Sequence, residues 1–315
     1  VASGSRTGAF AVLLLAQLAV GAAAILARYA LDAGLSPASL TAWRLTLASA
    51  VVLAARVPTW RSGAVLPPVP TRLRWRLLLA GAALGLHFAA WFASLRYVPV
   101  ARSTLLVATG PIWTGLAECF VPARRPPRTF WLGLAVALPG ALLVTLAPEH
   151  ATPSVVLSKP AWMGDALAVL GAACIAAYLL LTRDAQTTLG TGRTVAWTYT
   201  AAAVAAWPAA LLLGDDRPVV PQGTAAWLPV VGMALVPQLL GHTLLNLSLR
   251  RFSASAVAAA TLLEPVFAAV LAWPLFGERV TPPQAVGAAV LLGGVGLALW
   301  RGRASAMAPA APDMV

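Results

Sequence analysis

Long apolar runs broken by short polar clusters dominate the chain. A membrane-crossing helix needs about 20 mostly apolar residues. Ten stretches meet that length: 9–28, 38–55, 75–95, 101–121, 129–147, 162–182, 194–213, 226–248, 254–275 and 282–300. The pattern therefore predicts an all-α integral membrane protein of ten transmembrane helices. Several spans are rich in Ala and Gly, which lets helix backbones approach closely in lipid. Trp60, Trp75, Trp131, Trp162, Trp227 and Trp300 fall near predicted span ends, as in an interfacial aromatic belt. Residues 9–27 follow Arg6 and could pass for a signal-peptide core. The run is long for that role and is needed for the repeat described next, so it is read as the first span.

The chain repeats itself. At an offset of 154, Leu95-Arg96 falls on Leu249-Arg250, Pro111 on Pro265, Gly133 on Gly287 and Gly140 on Gly294. Near the start of each half the offset is 156, which places Gly8 on Gly164 and Gly34 on Gly190. Spans 1–5 and 6–10 thus read as two copies of one unit, residues 1–150 and 151–303. A tail, 304–315, is expected to be disordered. Five is odd, so the second copy enters the membrane from the opposite side. Inverted-topology repeats of this kind are a common transporter architecture, with the substrate held near the midplane between halves.

Composition supports lipid as the solvent. Apolar residues make up 60% of the chain and charged residues 10%. Soluble domains are nearer half apolar and a quarter charged. The net charge of +12 does not point to nucleic acid, because the basic residues form short clusters between spans rather than one patch. With the N-terminus in the cytoplasm, fifteen of the 22 basic residues lie on the cytoplasmic side and six on the outer side. That bias predicts cytoplasmic termini. Cys119 and Cys174 sit within apolar spans, with no metal or disulfide spacing. High Ala and Arg with a single Lys suggests a GC-rich bacterium and hence its cytoplasmic membrane.

Four stretches resemble the EamA-type branch of the drug/metabolite transporter superfamily. They are Ser36-Pro37 with Ala42-Trp43-Arg44; Phe88 to Tyr97; Ala101 to Pro111; and Glu264-Pro265 with Phe276-Gly277-Glu278-Arg279. The resemblance implies ten helices, two inverted halves and transport of metabolites, often export. One position departs from it. The first-half counterpart of Gly277-Glu278-Arg279 reads Ala123-Arg124-Arg125, so its acidic turn is missing.

Ionisable groups inside a membrane are costly and become functional candidates by default. Glu264 is the deepest acid, and its repeat mate is Gly110. It suits a proton, a cation or a substrate amine; the plainer alternative is a protonated acid bonded to a neighbouring helix. Glu118 is expected to pair with Arg124 or Arg125. Arg44 could meet an anionic substrate group, pair with Glu264, or snorkel outward. Gln238, His242 and Asn246 are spaced by four, which places them on one helix face toward a cavity or a neighbouring helix. His87 and Trp91 share the same spacing and suit an apolar or aromatic solute. Trp43, Tyr178, Tyr199 and Gln17 complete the candidate lining; packing is the alternative for each.

Gly293-Gly294-Val295-Gly296 lies inside a span with no preceding strand and no phosphate-loop lysine, so helix packing explains it. Asp215-Asp216 lacks the further acids of a metal-dependent membrane prenyltransferase. No cofactor or metal is expected, and ATP is not the direct energy source. The chain reads as a secondary transporter of a small organic metabolite, an amino acid or a related compound, moved by alternating access. Its drive is the solute gradient or protons, with Glu264 and the two histidines as carriers. A multidrug exporter of hydrophobic cations is the rival within the superfamily, weakened because the first span offers Gln17 where an acid is needed. A membrane enzyme or lipid-handling protein would need an acidic cluster or an activated nucleophile. A monomer is compatible with all of this.

Overall fold

A computed structural model describes residues 6–57, 67–98, 100–146, 160–212, 218–276 and 281–300. Trp60, Asp215-Asp216, the Gly277-Glu278-Arg279 turn and the tail at 304–315 lie outside the described residues. Every regular element among the described residues is helical. In chain order these are α1 (Arg6–Asp32), α2 (Pro37–Ala54), α3 (Thr71–Ser94), α4 (Val100–Val107), α5 (Gly110–Cys119), α6 (Arg128–Leu146), α7 (Ala161–Thr188) and α8 (Thr191–Leu212). Then follow α9 (Gly223–Met233), a π-helical stretch (Ala234–His242), α10 (Thr243–Ser248), α11 (Ala254–Thr261), α12 (Glu264–Phe276) and α13 (Pro282–Leu299).

Seven helical stretches among the described residues are long and apolar enough to cross a membrane: α1, α2, α3, α7, α8, the continuous run Gly223–Ser248, and α13. The other three expected spans are shorter or divided. α6 offers the shorter apolar stretch Arg128–Val144, while the fourth and ninth spans are each two helices rather than one. The division has a specific cause. Pro111 and Pro265 lack the N–H that would bond the carbonyl four residues back, at Val107 and Thr261. α4 ends at Val107 and α11 ends at Thr261. Tight turns take over, with Thr109 N bonding Leu106 O at 3.2 Å and Leu263 N bonding Ala260 O at 3.0 Å. The breaks, Ala108-Thr109 and Leu262-Leu263, are 154 residues apart, as the repeat requires.

Helix ends follow local chemistry. Ser36 caps α2 by accepting from the Ser39 N–H at 3.0 Å, with Pro37 in the first turn. Thr281 and Gln284 form a capping box at α13. Gly34 and Gly190, matched by the repeat, close α1 and α7 with φ of 92° and 74°. An L side chain would be strained at both.

The helices are held by close backbone contact. α6 and α13, each the other's repeat mate, cross antiparallel. A Cβ on Gly140 would lie 2.8 Å from the Gly287 carbonyl, and one on Gly287 would lie 2.9 Å from the Gly140 carbonyl. A Cβ on Gly133 would approach the Gly294 carbonyl at 2.6 Å, and the reverse approach is 2.7 Å. Only glycine permits that spacing along this seam. Gly81 and Gly85 of α3 meet the α8 backbone at Thr198 and Ala202 in the same manner. Large apolar side chains cover the outside, among them Leu79, Leu132, Val204, Leu228 and Val286. An apolar exterior this continuous suits lipid rather than water. Trp75, Trp162 and Trp300 are exposed at helix ends, whereas Trp227 is packed inward on Trp43.

Candidate functional site

One enclosed cavity lies where the two copies meet. Val20, Ala23, Phe88, Val107, Ile175 and Leu179 form its apolar wall, and His87, Trp91, Thr104, His242, Thr261 and Glu264 add polar groups. Four pairs of lining residues are repeat mates: Phe88 and His242, Trp91 and Leu245, Val107 and Thr261, Ala23 and Leu179. The cavity therefore straddles the pseudo-twofold relation between the copies. Its volume is about 40 Å³, room for one to a few waters at about 10–15 Å³ each. A wider open groove of about 480 Å³, bordered by Leu53, Arg56, Pro67 and Arg193, shares no residue with it.

The broken helices build the cavity floor. Glu264 opens α12 directly after the Leu262-Leu263 break, and Thr104 and Val107 lie on the last turn of α4. A carboxyl at a helix N-terminus faces unpaired backbone N–H groups, which favours negative charge. Glu264 Oε1 has no hydrogen-bond partner among the described residues. The same holds for His242 Nδ1, Trp91 Nε1 and Thr104 Oγ1. Each unpartnered buried polar atom costs about 1–3 kcal/mol. Their convergence on one cavity means that water or a ligand completes them. His87 is oriented by its Nδ1–H, which donates to the Gly171 carbonyl at 2.8 Å and leaves Nε2 as its second polar atom.

Arg44 lies one ring away. It is fully buried, its Nη2 donates to Gln238 Oε1 at 2.8 Å, and its guanidinium sits 3.9 Å over the Phe88 ring. The opposite neighbour of Phe88 is His242, with ring centroids 5.2 Å apart. Phe88 escaped the sequence reading because an apolar residue among apolar residues carries no signal. Its repeat mate His242, which was visible, was the clue that could have found it.

The remaining sequence candidates separate into other roles. Gln238, His242 and Asn246 are all buried, but they meet different neighbours. Gln238 turns to Arg44 and His242 to the cavity. Asn246 accepts from Gln186 Nε2 at 2.9 Å and donates to the His242 carbonyl at 2.8 Å and to the Tyr178 hydroxyl. Tyr199 bonds the Gln238 carbonyl and Thr243, each at 3.1 Å. Tyr178 and Tyr199 are thus fully buried and absent from the cavity wall. Trp43 donates to the Val219 carbonyl at 2.9 Å and packs on Trp207 and Trp227, also away from the cavity. Gln17 is fully buried with neither amide atom partnered among the described residues.

Ion pairs sit toward both ends of α7. Arg102 binds Asp165 through two bonds of 2.7 and 2.5 Å. At the other end Asp184 holds Arg76 and Arg124, each at 2.8 Å. Glu118 pairs with Arg183 at 3.3 Å and accepts from the Ser255 N–H. The expected partners of Glu118, Arg124 and Arg125, are engaged elsewhere: Arg124 by Asp184 and Arg125 by the Cys119 carbonyl.

A sequence model of the EamA-like transporter family matches twice, over residues 7–146 and 162–300. The chain belongs to the EamA-like transporter family. The two matches fall on the two copies recognised from the offset of 154. Among curated EamA-like relatives, a probable terminal-alkyne amino-acid exporter of Streptantibioticus cattleyicolor is 28% identical over 200 residues. That alignment covers 63% of this chain and 64% of the exporter. An uncharacterized transporter, YwfM, of Bacillus subtilis strain 168 is 23% identical over 70% of this chain and 72% of its own length. A crystal structure with 20% identity superposes with a TM-score of 0.74, covering 95% of this chain and 98% of that one. At that identity the likeness is one of fold. EamA-like membership makes this chain a multi-pass membrane protein of a transporter family.

Proposed function

We propose that this chain is a secondary transporter that exports a small organic metabolite, an amino acid or a related compound, across a bacterial cytoplasmic membrane. Ten crossings form two inverted halves, 1–150 and 151–303, with both termini in the cytoplasm. Alternating access exchanges two related arrangements of the halves around the cavity. The observation that carries this reading is the cavity itself. It lies on the pseudo-twofold relation, is lined by repeat mates, and gathers unpartnered polar atoms from both copies. Glu264, at a helix break in the cavity wall, is the proposed proton carrier. The amino-acid cargo is supported by the name of the Streptantibioticus relative.

Purified protein in proteoliposomes tests this directly. Counterflow of labelled amino acids above that of empty liposomes is the expected result, steepened by a pH gradient in wild type and not in Glu264→Gln. No counterflow of any organic solute would remove the transport reading. An unchanged pH response in Glu264→Gln would remove the proton role. Single cysteines placed in 56–74 and near the C-terminus should label from the same side. Labelling from opposite sides would break the ten-crossing topology.

A further inference from the structure

Arg44 is the only arginine that is fully buried among the described residues, and no carboxylate there lies within ion-pair distance of it. Its Nε and Nη1 are unpartnered, and so is Nε2 of Gln238, the amide that accepts from it. A buried guanidinium with free donors is suited to receive an anion. A gap separates Arg44 from Glu264, since Glu264 lines the cavity and Arg44 does not. Phe88 fills that gap on the Arg44 side, because the ring that lines the cavity is the ring on which the guanidinium stacks. At about 40 Å³ the cavity admits no organic solute as it stands, so side chains must move when one binds. Phe88 is the side chain whose movement opens a path from the cavity to Arg44.

We infer that the ligand is an apolar α-amino acid held as its zwitterion, with the carboxylate on Arg44 and Gln238 once Phe88 swings aside and the ammonium on Glu264. The apolar wall of Trp91, Val107, Ile175 and Leu179 receives the side chain. A guanidinium stacked behind Phe88 and a carboxyl in the wall of an apolar chamber match the two ends of such a molecule and reject analogues lacking either end. This inference rests on the transport reading above and adds the ligand class and the two recognition residues.

The test uses three near-isosteres in proteoliposome counterflow: L-leucine, L-leucinamide and 4-methylpentanoate. Wild type should exchange L-leucine at least about tenfold better than either analogue, the scale expected when one partner of a buried charge pair is lost. Arg44→Gln should lose L-leucine by a similar factor and keep L-leucinamide. Glu264→Gln should lose L-leucine and keep 4-methylpentanoate. Arg44→Lys should fall between wild type and Arg44→Gln. Equal loss of all three solutes in Arg44→Gln, or unchanged L-leucine exchange, overturns the assignment. If Arg44→Gln does not fold, the wild-type ranking decides, and equal exchange of L-leucine and L-leucinamide overturns it. Wild type that exchanges none of the three also overturns it, while counterflow of another organic solute leaves the transport reading standing.

Discussion

The α6–α13 seam gives the sharpest structural test, because one helix carries both the perturbation and its control. Gly294 faces α6, and a Cβ there would lie 2.7 Å from the Ala137 Cα and 2.7 Å from the Gly133 carbonyl. Ordinary contact begins near 3.4 Å and the nearest approach is 2.4 Å, to the Ala137 nitrogen, so Gly294→Ala requires the helices to part by roughly 1 Å. A gap of about 0.5–1 Å forfeits a quarter to a half of each dispersion contact along the seam. Overpacking of this kind costs about 1–3 kcal/mol. Gly293, one residue earlier, faces outward and its Cβ would meet nothing within 4 Å. Gly293→Ala keeps the helix-propensity gain of about 1 kcal/mol and has no seam penalty. Subtracting the two variants removes the propensity contribution, leaving the seam cost of about 1–3 kcal/mol. At about 2–4 °C per kcal/mol this separates the midpoints by several degrees in a thermal unfolding assay in detergent. The pseudo-twofold adds a second constraint. Gly140 is the repeat mate of Gly294, and its Cβ would lie 2.5 Å from the Leu291 nitrogen, the equivalent clash. Gly140→Ala should match Gly294→Ala, and the double variant should cost less than the two together, since one separation relieves both. Equal midpoints for Gly293→Ala and Gly294→Ala would refute the reasoning.

Four further outcomes are expected. Glu118→Ala strands Arg183 and the Ser255 N–H in a nearly dry site and should cost about 3–5 kcal/mol. Arg102→Ala removes a pair whose arginine is 53% exposed, and should cost under about 1 kcal/mol in the same unfolding assay. Asn246→Leu orphans the Tyr178 hydroxyl and the Gln186 amide, so the midpoint should fall by the equivalent of about 1–3 kcal/mol while solute affinity in counterflow is unchanged. Gln17→Leu should do the reverse in stability, holding or raising the midpoint, because neither amide atom of Gln17 has a partner to lose.

Much of the scaffold could be read from residue spacing because its determinants are local. Glycine at 34 and 190, matched by the repeat, falls at the left-handed turns that close α1 and α7, whereas the breaks before Pro111 and Pro265 were not legible, because Pro139, Pro208 and Pro229 sit inside unbroken helices. The site was partly legible for a different reason. A polar residue in an apolar span must face protein, so His87, His242 and Glu264 were bound to turn inward, and they meet at one cavity. Which inward surface each one meets depends on helix crossing, which spacing along one helix does not encode. Tyr178, Tyr199 and Asn246 also turn inward but into a hydrogen-bond network outside the cavity wall. Gln238, His242 and Asn246, spaced by four, are likewise all buried, yet Gln238 meets Arg44, His242 the cavity and Asn246 the Tyr178 and Gln186 side chains.

The two copies agree in backbone and disagree in chemistry, and the disagreement is concentrated at the cavity. Helix breaks, left-handed glycines and the glycine seam are duplicated. The polar lining is not: Glu264 matches Gly110, His87 matches Gly241, His242 matches Phe88, Thr261 matches Val107 and Thr104 matches Ala258. An inverted scaffold needs matched halves so that its two arrangements differ little in energy; exact matching of the lining would offer a ligand two equivalent, opposed poses. Placing the acid on one copy and the guanidinium of Arg44 on the other removes that degeneracy. Under the proposed zwitterion reading, a molecule with distinct ends has one orientation open to it. Duplication persists where the backbone demands it and is absent from the polar lining.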